Sequence, residues 1–316
     1  MADLSTTYMG LKLKSPIIAG ASNLALKEEN IKALEDAGIG AIVYKSLFEE
    51  QINFEAADMD EDLTAYNDRH AEMTKIYPEM EHAGPKEFLH QLKKVKELAN
   101  VPVIGSINAL YEETWVEYAK LMENTGIDAL ELNLYSVPKK FELTGQDYEK
   151  HQLEIIKLVK KAIKIPVSIK LSPFYSNTLN FINEADKLGV NGFVLFNKLY
   201  EPEIDINEEK PLFPFNLSNK GDYRMALRYA GLLYGNIKGE ISSGSGIFDG
   251  EDVIKFLLAG ANTVQVVSTL YKNKISHVST MLKQIEEWMD KKGYKTLGDF
   301  RGKLSRKNMK DPFVYL

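Results

Sequence analysis

The chain has 316 residues, 44% hydrophobic and 27% charged, a globular composition sufficient for one large domain or two modest ones. With 45 Asp and Glu against 39 Lys and Arg its formal charge is -6, so no basic surplus exists to neutralise a nucleic-acid backbone. Zero cysteines exclude disulfides, thiolate metal sites, iron–sulfur ligation and a cysteine nucleophile. The N-terminus has neither a basic n-region nor an apolar h-region. No apolar run reaches the roughly 18 residues of a membrane span, so a cytoplasmic location is expected.

Short apolar, β-branched runs alternate with longer amphipathic stretches in the manner of parallel strands joined by crossover helices. A strand over 16–21 leads to a helix over 28–37. A strand over 41–45 is followed, after a long connection, by a helix over 85–99. Then come strand 101–106 with helix 112–125, strand 129–134 with helix 147–163, and strand 166–171 with helix 177–188. Strand 192–196 precedes a second long connection and helix 223–233; strand 239–242 with helix 249–259 and strand 263–267 with helix 276–291 close the series. Four helix ends recur as Ala37-Gly38-Ile39, Thr125-Gly126-Ile127, Leu188-Gly189-Val190 and Ala259-Gly260-Ala261, with glycine at the helix stop. Eight β/α units in one domain, residues 1–316, point to an α/β fold of the (β/α)8 TIM-barrel type, with a doubly wound open sheet as the alternative. The long connections after strands 2 and 6, residues 47–84 and 198–222, follow carboxyl strand ends; they read as site-covering loops, or else as surface insertions or dimer contacts.

Polar residues interrupt the apolar runs at the carboxyl ends of four strands: Lys45, Asn133, Lys170 and Asn197. Period-two alternation puts Glu131 with Asn133 on one face, and Ser168 with Lys170 on one face. If those faces look inward, two ammonium groups and two amides converge at the barrel mouth. Taken singly, a strand-end Lys is more often a snorkelling surface residue and a lone Asn a turn residue. The segment Ile241-Ser-Ser-Gly-Ser-Gly-Ile247, before a helix that Asp249 caps, and Gln265-Val-Val-Ser-Thr269 fall in the last two units, where barrels build phosphate sites. His70, His82, His90, His151 and His277 show no metal-ligand spacing, and no Ser-His-Asp arrangement is visible.

These residues, in their order and spacing, resemble the FMN-dependent dihydroorotate dehydrogenases and the related catalytic domain of dihydropyrimidine dehydrogenases. The likeness runs from Gly10-Leu-Lys-Leu-Lys-Ser-Pro-Ile-Ile18 through Glu131-Leu-Asn-Leu-Tyr-Ser136, Ile169-Lys-Leu-Ser-Pro173 and Gly244-Ser-Gly-Ile247 to Gly293-Tyr-Lys-Thr-Leu-Gly-Asp-Phe-Arg-Gly-Lys303. The resemblance implies an FMN oxidoreductase that converts dihydroorotate to orotate or acts on a close dihydropyrimidine analogue. Lys45, Ser46, Asn133, Lys170 and Asn197 would contact the flavin, Lys170 at its N1/C2 carbonyl edge, with Ala19, Ala21 and Asn108 lining the isoalloxazine. Gly244, Ser245, Gly246, Val267 and Ser268 would hold the phosphate, and Lys45, Asn133, Asn197 and Lys198 would meet the substrate. Ser136 takes the position of the catalytic base, with Lys45 and Lys170 completing the catalytic set. A soluble electron acceptor or flavoprotein partner and a homodimer follow from the same resemblance.

The chain also departs from the family pattern. The expected substrate loop is replaced by Asn67-Asp-Arg-His-Ala-Glu-Met73, the Asn after the base by Pro138, and the polar residue after Asn197 by Lys198. Phe215-Asn-Leu-Ser-Asn-Lys220 stands where a glycine-rich segment is expected. The alternatives that remain are a dihydropyrimidine-dehydrogenase-like reductase with a separate electron-transfer partner, a flavin-free phosphate-binding lyase or aldolase working through Lys170 or Lys45, and a barrel that serves only as a partner-binding subunit.

Overall fold

The computed structural model describes residues 2–48, 85–109, 111–134, 141–199, 201–212 and 217–315. Eight parallel strands close into a barrel: β3 (Ile17–Ala19), β4 (Ala41–Phe48), β5 (Val103–Asn108), β6 (Ala129–Asn133), β7 (Val167–Leu171), β8 (Gly192–Leu195), β11 (Glu240–Ser243) and β12 (Thr263–Val266). Around the ring they follow chain order, and β12 pairs with β3 to complete it. The helices α1 (Glu28–Asp36), α2 (Pro85–Leu98), α3 (Glu112–Glu123), α4 (Gly145–Ala162), α5 (Thr178–Lys187), α6 (Arg224–Leu233), α7 (Gly250–Ala259), α8 (Ser268–Asn273) and α9 (His277–Lys292) lie between or after the strands.

Strand alternation divides the core in two. Ile17, Ile42, Tyr44, Val103, Leu130, Leu132, Ile169 and Phe193 pack with the helices, in one cluster with Leu92, Met122, Ile156, Phe181, Phe256 and Ile285. The intervening residues Ile18, Ala41, Val43, Ile104, Ala129 and Val194 make a second, smaller cluster inside the barrel. In this register Glu131, Asn133, Ser168, Lys170, Thr263 and Gln265 occupy inward positions and are all buried. The alternative of an open sheet is excluded by the closed strand order.

The helix boundaries follow local chemistry. Thr144 and Asp147 form a reciprocal capping box at α4, and Asn177 and Asp249 accept from the amides of Asn180 and Asp252 at α5 and α7. Gly38, Gly126, Gly189 and Gly260 all have positive φ, between +82° and +123°, a conformation that costs an L side chain strain at these helix stops.

Among the described residues, two hairpins and one α-helix have no counterpart in the predicted elements. The antiparallel pair β1 (Thr6–Tyr8) and β2 (Leu11–Leu13) brings Tyr8 and Met9 under the barrel, where a β-carbon on Gly192 would come 2.8 Å from the Tyr8 hydroxyl oxygen. The pair β9 (Glu203–Asp205) and β10 (Lys210–Leu212) lies in the second long connection, and α8 follows β12 directly. Each is only three to six residues long, too short for a periodic signal, and Pro211 interrupts one of them. Of the first long connection, 47–84, only Leu47 and Phe48 lie within the described residues, as the end of β4.

Candidate functional site

A cavity of about 900 Å³, counting its solvent-open mouth, sits at the carboxyl end of the barrel strands. One side is built by β6, β7 and the end of β8. Asn133 is 2% exposed and is held from two directions. Its Oδ1 accepts from Asn197 Nδ2 at 3.0 Å, and its carbonyl accepts from Asn108 Nδ2 at 2.8 Å. Because Oδ1 is engaged, the amide nitrogen is the end of Asn133 left to donate. Lys170, opposite Asn133 in the ladder, is 8% exposed and lines the same cavity.

The other side is built by loops after β11 and β12 and by the segment before α6. Ser245 and Gly246 both take positive φ, +68° and +69°. Gly246 N donates to Ser218 Oγ at 2.9 Å, and Ser268 Oγ accepts from Ser218 N at 2.9 Å and pairs with Ser218 Oγ at 2.8 Å. Lys272 Nζ caps the same residue at its carbonyl, 3.0 Å away. One serine therefore joins the Gly244–Gly246 loop to the start of α8. Phe48, Phe196 and Leu217 supply apolar walls, while Gly20 lets the chain pass tightly over β12: a β-carbon there would come 2.8 Å from Val267 Cγ2.

The floor is polar. Gln265 Nε2 donates to Glu131 Oε2 at 2.7 Å in the barrel interior, where both side chains are buried. Below them burial pushes the Tyr8 phenol far above its ordinary pKa, and the neighbouring Glu131 adds to the shift, so Tyr8 stays protonated.

Of the predicted residues, Ala21, Asn133, Lys170, Asn197, Lys198, Gly244, Ser245, Gly246, Val267 and Ser268 all line this one cavity. Lys198 also pairs with Glu201 at 3.1 Å and Asp222 at 3.7 Å, which turns part of its charge toward its own loop. Ala19 packs its side chain among the helices' partners, outside the barrel interior. Lys45 sits half-buried at a register shift between Val43 and Ser46, and is not among the cavity-lining residues. This irregularity resets the alternation of β4, so that Ser46 meets Ser106 Oγ at 2.8 Å and Phe48 reaches the cavity. Asn108 acts on the site through Asn133. Ser136, with Tyr135 and Pro138, lies outside the described residues, as do Asn67, Arg69, His70 and His82.

Ser218, Phe48 and Tyr271 line the cavity without being among the predicted site residues, and Gln265 stands in the sequence pattern only as the start of the Gln265-Val-Val-Ser-Thr269 segment. Inward alternation on β12 was a signal for Gln265; nothing local marks Ser218, whose role depends on loops 28 and 50 residues away. Among the described residues no cluster of three His, Cys, Asp or Glu could hold a metal ion, and no helix is long and apolar enough to cross a membrane.

A sequence model described as dihydroorotate dehydrogenase matches residues 78–289 of the chain. The catalytic subunit of dihydroorotate dehydrogenase B (NAD(+)) from Thermoplasma volcanium is 29% identical over 309 residues, covering 96% of this chain and 98% of that protein. The protein of the same description from Methanocaldococcus jannaschii is 30% identical over 282 residues, 85% of this chain and 87% of its own length. Dihydroorotate dehydrogenase A (fumarate) from Lactobacillus helveticus is 28% identical over 212 residues, 65% of this chain and 68% of its own.

Proposed function

The chain belongs to the dihydroorotate dehydrogenase family, and on that premise we propose that the cavity at its barrel mouth holds FMN and the ring to be oxidised, and assign roles to the residues around it. The protein is an FMN-dependent oxidoreductase acting on a CH–CH bond, and dihydroorotate is its substrate on this reading. The observation that carries the assignment is the division of one cavity into a donor side, Lys170 with Asn133 and Asn197, and a Gly/Ser loop side, Gly244–Gly246 with Ser268.

The residues present fit the cofactor. An isoalloxazine needs a flat slot with apolar faces, supplied by Phe48, Phe196 and Ala21, and close backbone approach, supplied at Gly20. A phosphate needs N–H and hydroxyl donors at loop and helix starts, supplied around Gly246 and Ser268. When bound, FMN supplies the hydride acceptor. Lys170 would place a cation beside FMN held in this cavity, where it would favour negative charge on the ring, and its burial would strengthen that interaction. Asn133, locked by Asn197 and Asn108, directs an amide N–H₂ to the same side without reorganisation. On the β4 side Phe48 lines the cavity and Ser46 lies buried against Ser106, while Lys45 stands outside the lining; Lys198 guards the mouth toward the substrate. Ser136 is the proposed base that takes the proton from the ring carbon beside the one that loses hydride. Ser136 comes two residues after Leu134 in the sequence, and the Leu134 carbonyl accepts from Gln152 Nε2 at 3.2 Å, with Gln152 Oε1 accepting in turn from the Tyr175 hydroxyl at 2.8 Å.

The electron acceptor is soluble on this reading. The names of the two archaeal relatives, catalytic subunits of an NAD(+)-linked enzyme, favour an electron-transfer subunit as partner, and the fumarate-linked relative supplies the alternative. A homodimer and a cytoplasmic location complete the proposal.

The test is an anaerobic absorbance spectrum of the FMN-loaded protein before and after dihydroorotate. Bleaching of the flavin band is expected. A flavin band that stays oxidised refutes dihydroorotate as substrate, and absence of flavin binding after reconstitution refutes the reading of the cavity. Bleached enzyme then reoxidised by fumarate alone would dismiss the partner subunit.

A further inference from the structure

The floor of the cavity carries an interaction that the roles above leave unused. Strands β6 and β12 stand four places apart in the eight-membered ring, so Glu131 and Gln265 reach toward one another across the barrel axis and meet at 2.7 Å. Barrel interiors are ordinarily filled by branched aliphatic side chains, and a buried carboxyl group there is costly without a partner. Glu131 is 0% exposed and Gln265 5%, yet Gln265 also lines the cavity, so the pair connects the sealed interior to the ligand space.

The end of the Gln265 amide that faces Glu131 is the N–H₂, since Nε2 donates to Glu131 Oε2. The amide oxygen is thereby turned the other way. Gly20 shows where it goes: a β-carbon on Gly20 would lie 3.6 Å from Gln265 Oε1, which places the oxygen beside the chain that leads into the Ala21 and Ser22 wall. Across the cavity stand the donors Lys170 and Asn133. A single acceptor facing a set of donors matches a ring system that presents one imide N–H between two carbonyls, the chemical pattern of a flavin's pyrimidine end.

We propose that Glu131 is a positioning residue that holds the Gln265 amide with its oxygen toward the cavity, and that this oxygen accepts the imide N–H of bound FMN. The inference rests on the reading of the cavity as the FMN site. An acceptor in that place opposes negative charge on the reduced ring, in balance with Lys170, so the pair sets both the affinity for FMN and the ease of its reduction.

The test measures the FMN dissociation constant, from quenching of FMN fluorescence on titration into apoprotein, and the midpoint potential of the bound flavin against a reference dye. Glu131→Gln replaces an acceptor-only group with an amide that pairs with either end of Gln265. It is expected to weaken FMN binding about tenfold and to raise the potential by about 30 mV, a tenfold change in the equilibrium of a two-electron couple. The exchanged pair, Glu131→Gln with Gln265→Glu, restores an acceptor-only group at the cavity; its affinity returns to within about threefold of wild type and its potential falls back to or below the wild-type value. A folded Glu131→Gln protein with unchanged affinity and potential overturns the proposal, as does an exchanged pair that recovers neither. Should Glu131→Gln fail to fold, Gln265→Met decides: weakened binding and a raised potential support the proposal, and wild-type values overturn it. A wild-type protein that binds no FMN removes the reading of the cavity itself, and this inference with it.

Discussion

Gly20→Ala tests the packing that shapes the ligand slot. Gly20 follows β3 and donates its amide to Val266 O at 3.0 Å, so its backbone is pinned against β12. A β-carbon there would stand 2.8 Å from Val267 Cγ2, and its next contacts, Gln265 Cβ and Oε1, would be at 3.6 Å. Carbon atoms attract at about 3.5–4.0 Å, so the first contact lies deep in the repulsive range while the others are ordinary. Valine has little χ1 freedom with which to retreat, and the pinned amide has little more. Forcing one methyl group into such a position costs about 1–3 kcal/mol. Val267→Ala removes the colliding atom. By itself it costs about 1 kcal/mol at this half-buried position, but in the double variant it also makes room for the new methyl group. Equilibrium unfolding in urea, with m unchanged across the four proteins, reads the cycle. The expected outcome is that the double variant is more stable than the sum of the single losses by about 1 kcal/mol or more. Additivity within about 0.5 kcal/mol would refute the argument, because it would show that the methyl group and Val267 never meet.

Lys170→Met should lower the midpoint potential of bound FMN by about 30 mV or more, since the cation that favours the reduced ring is gone; an unchanged potential would remove Lys170 from the ring's edge. Ser218→Ala leaves the Gly246 amide without its acceptor at 2.9 Å and should cost about 1–3 kcal/mol in unfolding free energy. If phosphate oxygens take over as acceptors, saturating FMN shrinks the difference in Tm between this variant and wild type, and an equal difference with and without FMN would count against the phosphate assignment. At Asp249 burial works against the charge, but the Lys220 ammonium at 2.6 Å and the Asp252 amide outweigh it and hold the carboxyl below its ordinary pKa. A carboxyl that titrates lower in the folded than in the unfolded state, where its pKa is about 3.9, contributes its stability above that pH and loses it as pH falls through the folded pKa. Asp249→Asn keeps the helix cap and drops the charge, so the stability gap to wild type should be full at about pH 5 and shrink toward about pH 3. A gap that stays constant over that range in thermal melts would show that Lys220 contributes nothing through charge.

Much of the barrel was legible along the chain because its determinants are local. The recurring Ala37-Gly38 and Ala259-Gly260 stops end helices through backbone conformation, and alternation on β6 and β7 turns Glu131, Asn133, Ser168 and Lys170 inward by the geometry of the pleat. The carboxyl-end placement of Asn133, Lys170, Asn197 and the Gly244–Gly246 loop follows from the same two rules, and these residues do share one cavity. What the linear pattern left open depends on contacts between distant segments. The register shift beside Lys45 arises from pairing with β5, and it, not the alternation of β4, decides that Ser46 and Phe48 face inward. Ser218 becomes a clasp only because loops after β11 and β12 arrive on either side of it. Glu131 and Gln265, 134 residues apart, become partners only when the ring closes and sets their strands opposite one another. Periodicity and capping act within a few residues and so can be read in order. Register, loop convergence and pairing across the axis are consequences of closure, and closure is a property of the whole chain.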